Sequence, residues 1–164
     1  MNINREPHSS ATLATQRIKF DRTPVLQPAT VSVQRQLTAE ITHGPVVNSA
    51  DVLPQNSVVK INSVKQGATT YTKDVDYKLV AGQVDWSLPG AEVAPGSKYM
   101  VDFEYISTEP AEDQTPYDFA VTGAVKDTTV LVDYQPALRR IDTIVIDAKG
   151  KLNVIKGVPS MWNP

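Results

Sequence analysis

The chain has 164 residues, of which 41% are hydrophobic and 21% charged, with a formal net charge of −2. That length can bury a core in one medium or two small domains, and the near-neutral charge gives no global attraction to nucleic acid or an anionic membrane. Disulfides, thiolate catalysis and Cys-ligated zinc are excluded because the chain has no cysteine, and no apolar run approaches the ~20 residues of a membrane helix. The N-terminus also lacks the charged-then-apolar layout of a signal peptide.

Twelve prolines punctuate the chain at intervals too short for ordinary helices, and its many Val and Thr side chains favour the pleated sheet. The expected fold is all-β: antiparallel β-sandwich-like modules with an irregular N-terminal arm and a C-terminal β-hairpin. Residues 1–38 read as the arm. Residues 2–10 are polar and expected to fray, and only 17–20 and 31–33 alternate briefly. Ile18 and Phe20, with Trp162 at the other end, are the candidate docking residues for a neighbour.

Residues 39–106 read as a β-sandwich module of about six successive strands. Residues 40–47 look like an edge strand interrupted at Gly44-Pro45. A strand over 57–65 turns back at 66–68. Tyr77 and Leu79 pass through an Ala81-Gly82 turn to Val84 and Trp86, the pattern of a hairpin. After the break at Pro95-Gly96, Tyr99, Val101, Phe103 and Tyr105 take one face of a longer strand. The acidic, proline-bearing residues 107–116 read as a linker or long loop. Residues 117–159 form a second β region ending in a hairpin that turns at 148–150. There Ile144 and Ile146 oppose Leu152 and Val154 or Ile155. The tail at 160–164 stops abruptly, which suggests an excerpt of a longer polypeptide.

Chemistry is sparse. His8 and His43 are far apart, and neither makes metal-ligand spacing with Asp51 or Asp85. Asp74, Asp76, Asp85, Asp142 and Asp147 lack the density of a calcium loop and suit capping of turn N–H groups. Ser57, Ser87 and Ser97 have no nucleophile-elbow context, and no glycine-rich phosphate loop is present. Arg139-Arg140 sits beside Asp133 and Asp142, which points to local ion pairs. The aromatic stripe of Tyr71, Tyr77, Trp86, Tyr99, Phe103 and Tyr105 has strand spacing and is expected in the core, the rival being a sugar-stacking platform. No catalytic, cofactor-binding or metal residue is assigned, and no enzyme activity or cofactor is expected.

Two stretches carry a resemblance. The first is Asp76-Tyr77, Asp85-Trp86-Ser87, Ala94-Pro95-Gly96-Ser97 and the strand from Tyr99 through Phe103 to Tyr105. The second is Val132-Asp133-Tyr134, Arg140-Ile141-Asp142, Asp147, Gly150 and Gly157-Val158-Pro159. In order and spacing they resemble an uncharacterised-function domain family of tailed-bacteriophage tail-fibre and baseplate structural proteins. Val75 stands where that family often has glycine, Val84 replaces its isoleucine, and residues 1–38 match nothing in it. The resemblance implies a structural virion component, baseplate-attached or proximal in a tail fibre, that serves host attachment without catalysis. It implies a homo-oligomer, with a trimer favoured, docked on other tail or baseplate proteins and assembled in the bacterial host cytoplasm. No nucleic-acid partner or membrane insertion is expected. The alternative is a carbohydrate-binding β-sandwich module for host surface glycans, and a glycan-cleaving tail-spike fragment is a third reading.

Overall fold

A computed structural model describes residues 2–10, 14–138 and 140–159. Every regular element among them is a strand, in keeping with the expected all-β class. In chain order these are β1 (Ile3–Ser9), β2 (Gln16–Lys19), β3 (Thr30–Thr42), β4 (Ala50–Val52), β5 (Val58–Gln66), β6 (Thr69–Tyr71) and β7 (Lys78–Val80). They continue with β8 (Gln83–Asp85), β9 (Lys98–Pro110), β10 (Asp118–Val121), β11 (Thr129–Tyr134), β12 (Thr143–Ile146) and β13 (Leu152–Ile155). One sheet has six strands in the order β1-β11-β3-β9-β5-β6, and smaller sheets are β4-β8-β7, β10-β2 and β12-β13. All of these ladders are antiparallel.

The spine is the β3-β9 ribbon, paired without a bulge from Thr30↔Pro110 to Thr42↔Lys98. Side chains alternate across such a ribbon. The odd residues of β3, Val31 and Val33 and then Leu37, Ala39 and Ile41, take one face, with Arg35 between the two groups. The even face is polar: Ser32 meets Thr108 at 3.0 Å, Gln36 donates to Asp102 at 2.8 Å, and Lys98 donates to Glu40 at 2.7 Å. One packed and one solvated face is the usual arrangement of an antiparallel sheet.

Two cores sit side by side on the packed face. The first joins Ile18 and Phe20 near β2, Val31 and Val33 of β3, Phe119 and Val121 of β10, and Val130, Val132 and Tyr134 of β11. Here the β2-β10 pair, with Ile18 opposite Phe119, covers β3 and β11. The second gathers Ile61, Val64, Tyr71, Tyr77, Val84, Trp86, Tyr99, Val101 and Phe103 under the β4-β8-β7 sheet.

Three expectations about the organisation need correcting. Residues 1–38 are not an irregular arm: they supply β1, β2 and most of β3, and β1 pairs with β11 over most of its length. Ile18 and Phe20 are buried in the chain's own first core, so they are not surfaces for a neighbour. Residues 107–110 continue β9 opposite 30–33, leaving only 111–116 as a loop. The first and third share a reason: a backbone ladder satisfies N–H and C=O groups whatever the side chains are, so polar residues on a solvated face look like loop in sequence. The interrupted edge strand at 40–47 is likewise the end of β3, a central strand, followed by a loop. Trp162 and the 160–164 tail, like Arg139, lie outside the described residues.

Candidate functional site

The hairpin through β7 and β8 forms as its alternation indicates, with Ala81 (φ 50°) and Gly82 (φ 76°) making the two-residue turn. It delivers Trp86 into the second core. There the indole packs edge-on to Tyr71 and Tyr99, with ring centroids 5.1 Å and 5.4 Å apart, and tilted to Tyr77 at 5.8 Å. Trp86, Tyr77, Tyr99 and Phe103 are almost wholly buried and Tyr105 packs partly exposed at their margin. The ring faces needed for sugar stacking are therefore occupied by other rings.

Beneath this cluster lies a polar hub. Asp51, from β4, accepts hydrogen bonds on Oδ2 from the Tyr99 hydroxyl (2.7 Å) and Trp86 Nε1 (3.1 Å), and on Oδ1 from the Gly44 amide (3.0 Å). His43 Nδ1 lies 2.7 Å from Asp51 Oδ2, and His43 Nε2 lies 3.0 Å from Glu92 Oε1, which also accepts the Asn48 amide. The turn at Pro95-Gly96 locks this end: Gly96 (φ 76°) donates to the His43 carbonyl, and the His43 amide donates to the Ser97 carbonyl. Burial disfavours the charged form of Asp51, but the hydrogen bonds from Tyr99, His43 and Gly44 outweigh it and hold the carboxyl below its ordinary range. Burial and the adjoining Asp51 push the Tyr99 hydroxyl far above its ordinary range. A His-Asp pair is the core of many general-base systems. Here the imidazole has no exposed surface and its second nitrogen is taken by Glu92, so the pair ties β4 and the 88–97 loop to the end of β3, while the Tyr99 hydroxyl ties Asp51 to β9.

The first core contains a counterpart. Buried Glu6 accepts from the Tyr134 hydroxyl and the Asp21 amide, and His8 Nε2 lies 2.6 Å from its Oε1. Tyr134 also accepts the Arg22 amide, and burial with Glu6 raises its hydroxyl well above the ordinary value. His8 thus sits in β1 against Phe119, not in a frayed end. Between the cores, Arg35 pairs with Glu109 and, at 3.6 Å, with Glu112, and donates to the Thr122 carbonyl. No spacing in the sequence marks Glu92 or Arg35, whose partners come from distant segments, or joins Glu6 to Tyr134, 128 residues away. Among the described residues no group of three or more metal-binding side chains is positioned to hold an ion. Nor is any helix among them long and apolar enough to cross a membrane.

The remaining motif residues shape turns. Asp76 accepts the Thr72 amide (2.6 Å) and the Ala91 amide (2.8 Å), and Asp133 accepts the Arg5 amide (2.6 Å) where β1 bulges. Asp142 pairs with Arg140 (2.7 Å) and accepts the Gly157 amide (3.0 Å), which together hold its carboxyl below the usual range. Asp147 accepts the Lys149 and Lys151 amides, and Gly150 (φ 79°) completes the turn.

The two ends of that last set frame the surface that stands out. The β12-β13 hairpin pairs Ile144↔Val154 and Ile146↔Leu152, as expected. Its apolar side chains face water: Ile144 is 69% exposed, Ile146 68%, Leu152 65% and Val154 57%. Ile141, Ile155 and Val158 add to them. Contiguous apolar patches beyond a few hundred Å² are rare on monomers, and an isolated two-stranded hairpin is marginal in water.

Comparisons with curated proteins and with solved structures gave no match. A family model described as a domain of unknown function (DUF4815) matches residues 1–164, the whole chain, and the chain belongs to that family.

Proposed function

We propose that the chain is a structural virion component of a bacteriophage tail, baseplate-attached or proximal in a tail fibre, acting through self-association and protein-protein docking and not through catalysis. The observation that carries the reading is the β12-β13 hairpin, whose apolar side chains remain in water. Burying that face against protein recovers about 25 cal/mol per Å² of apolar surface. Both histidines and the buried carboxylates meanwhile serve internal hydrogen bonds, as suits a rigid building block. The phage context comes from the resemblance of the Asp76-Tyr77 to Tyr105 and Val132 to Pro159 motifs.

The test is immunogold labelling of purified tailed particles from a host carrying the gene. Label confined to the tail is the expected result. Absence from the particles, with all of the protein in the soluble host fraction, overturns the reading.

A further inference from the structure

The hairpin carries a charge pattern that specifies a partner. Asp142 and Asp147 bracket β12, and Lys151 and Lys156 bracket β13; the two strands between the brackets contain no charged residue. Lys151 and Lys156 have no ion pair among the described residues, whereas Asp142 already holds Arg140. Both long edges are also unprotected. β1 carries a bulge at its pairing and a proline, and the part of β5 that short β6 leaves uncovered shifts register twice and exposes Lys60, devices that blunt sheet edges. The β12-β13 register runs unbroken from Thr143↔Ile155 to Ile146↔Leu152.

Three pairings with a second copy are open to such a hairpin. Joining β13 to β13 antiparallel sets Lys151 against Lys156, and joining β12 to β12 sets Asp147 against the Asp142 end. Like charges directly opposed across strands destabilise. Joining β12 of one copy to β13 of the next opposes carboxylate and ammonium at both ends, repeating the register within the hairpin. Alternation then gathers Ile144, Ile146, Leu152 and Val154 on one side and leaves Thr143, Val145, Asn153 and Ile155 on the other.

We propose that β12 of one copy joins β13 of the next through three or more copies in succession, so that Ile144, Ile146, Leu152 and Val154 form one continuous apolar face buried within the assembly. This rests on reading the chain as an assembling structural component, and it names the partner, a further copy of this chain, and the strands that meet. The contact is head-to-tail, so a rotation that closes gives a ring with no free edge. Such a succession supplies the neighbouring strands that a lone hairpin lacks.

The chain's lack of cysteine makes a clean test possible. Val145→Cys and Asn153→Cys, placed on the outward face in facing register, are made in separate full-length chains, mixed, refolded together and oxidised. The expected result is a covalent dimer from the mixture and none from either variant alone, with a native mass of at least three chains for the unsubstituted protein. A dimer from Val145→Cys alone, an assembled species without the mixed cross-link, or a monomeric native mass overturns the proposal. A second variant, Ile144→Asp with Ile146→Asp, is expected to run as a monomer while keeping the thermal unfolding of the two cores; an unchanged native mass also overturns it. Failure of the cross-link leaves the labelling of particles untouched, and absence from particles leaves the cross-link untouched, so the two readings fail separately.

Discussion

The two cores share a sheet face and a design, yet they are assembled from different parts of the chain. Each buries a carboxylate that accepts a tyrosine hydroxyl and lies beside a histidine: Asp51 with Tyr99 and His43, Glu6 with Tyr134 and His8. Around Asp51 the partners are 8, 35 and 48 residues away, so that core grows from one continuous stretch. Glu6 and Tyr134 are separated by 128 residues, and the first core closes only when the two flanks of the chain meet. Arg35 with Glu109 and Glu112 puts charge between the cores on the shared ribbon. The two cores are thus alike in chemistry and unlike in contact order, which predicts that the continuous one forms without waiting for the other.

The largest expected effect separates them most sharply. Trp86→Ala removes the ring on which Tyr71, Tyr77 and Tyr99 pack and costs about 3–5 kcal/mol. Hydrogen exchange in that variant is expected to lose protection over 58–66 and 98–103 while 129–134 keeps it. Equal loss in all three segments means that the cores unfold as one unit.

Next comes acid. The Asp51 carboxyl has a folded-state pKa below its unfolded value, near 3.8. Its contribution is therefore fully present above that value and is lost as pH falls through the lower, folded one. Urea midpoints of the unsubstituted chain should decline below about pH 4, and Asp51→Asn should begin less stable at neutral pH and show a shallower acid decline. Identical acid slopes in the two proteins remove Asp51 as the sensor.

The smallest effect is local to the continuous core. A Cβ at Gly90 would lie 2.4 Å from the Val75 carbonyl oxygen and 2.4 Å from Asp76 Oδ1, so the 88–91 loop must move away from the turn that Asp76 staples. Gly90→Ala is expected to cost about 1–3 kcal/mol, with the lost protection confined to 72–91. A thermal midpoint equal to the unsubstituted protein's means that the loop accommodates the methyl group.

The sequence by itself determined the all-β class, the β7-β8 and β12-β13 hairpins, the burial of Trp86, Tyr99 and Phe103, and the capping roles of Asp76, Asp142 and Asp147. All are local: a period of two, a turn residue tolerant of positive φ, or a carboxylate within reach of a nearby amide. Only the tertiary structure decided that residues 3–42 pair with 98–134, that Ile18 and Phe20 are core, and that Glu6, His43, Glu92 and Arg35 find their partners. A ladder between segments about a hundred residues apart leaves no local periodicity to read, because its backbone bonds are indifferent to side chains. The partner of a buried polar group is chosen by burial itself, once an unpaired group would cost more than the chain entropy of bringing one to it.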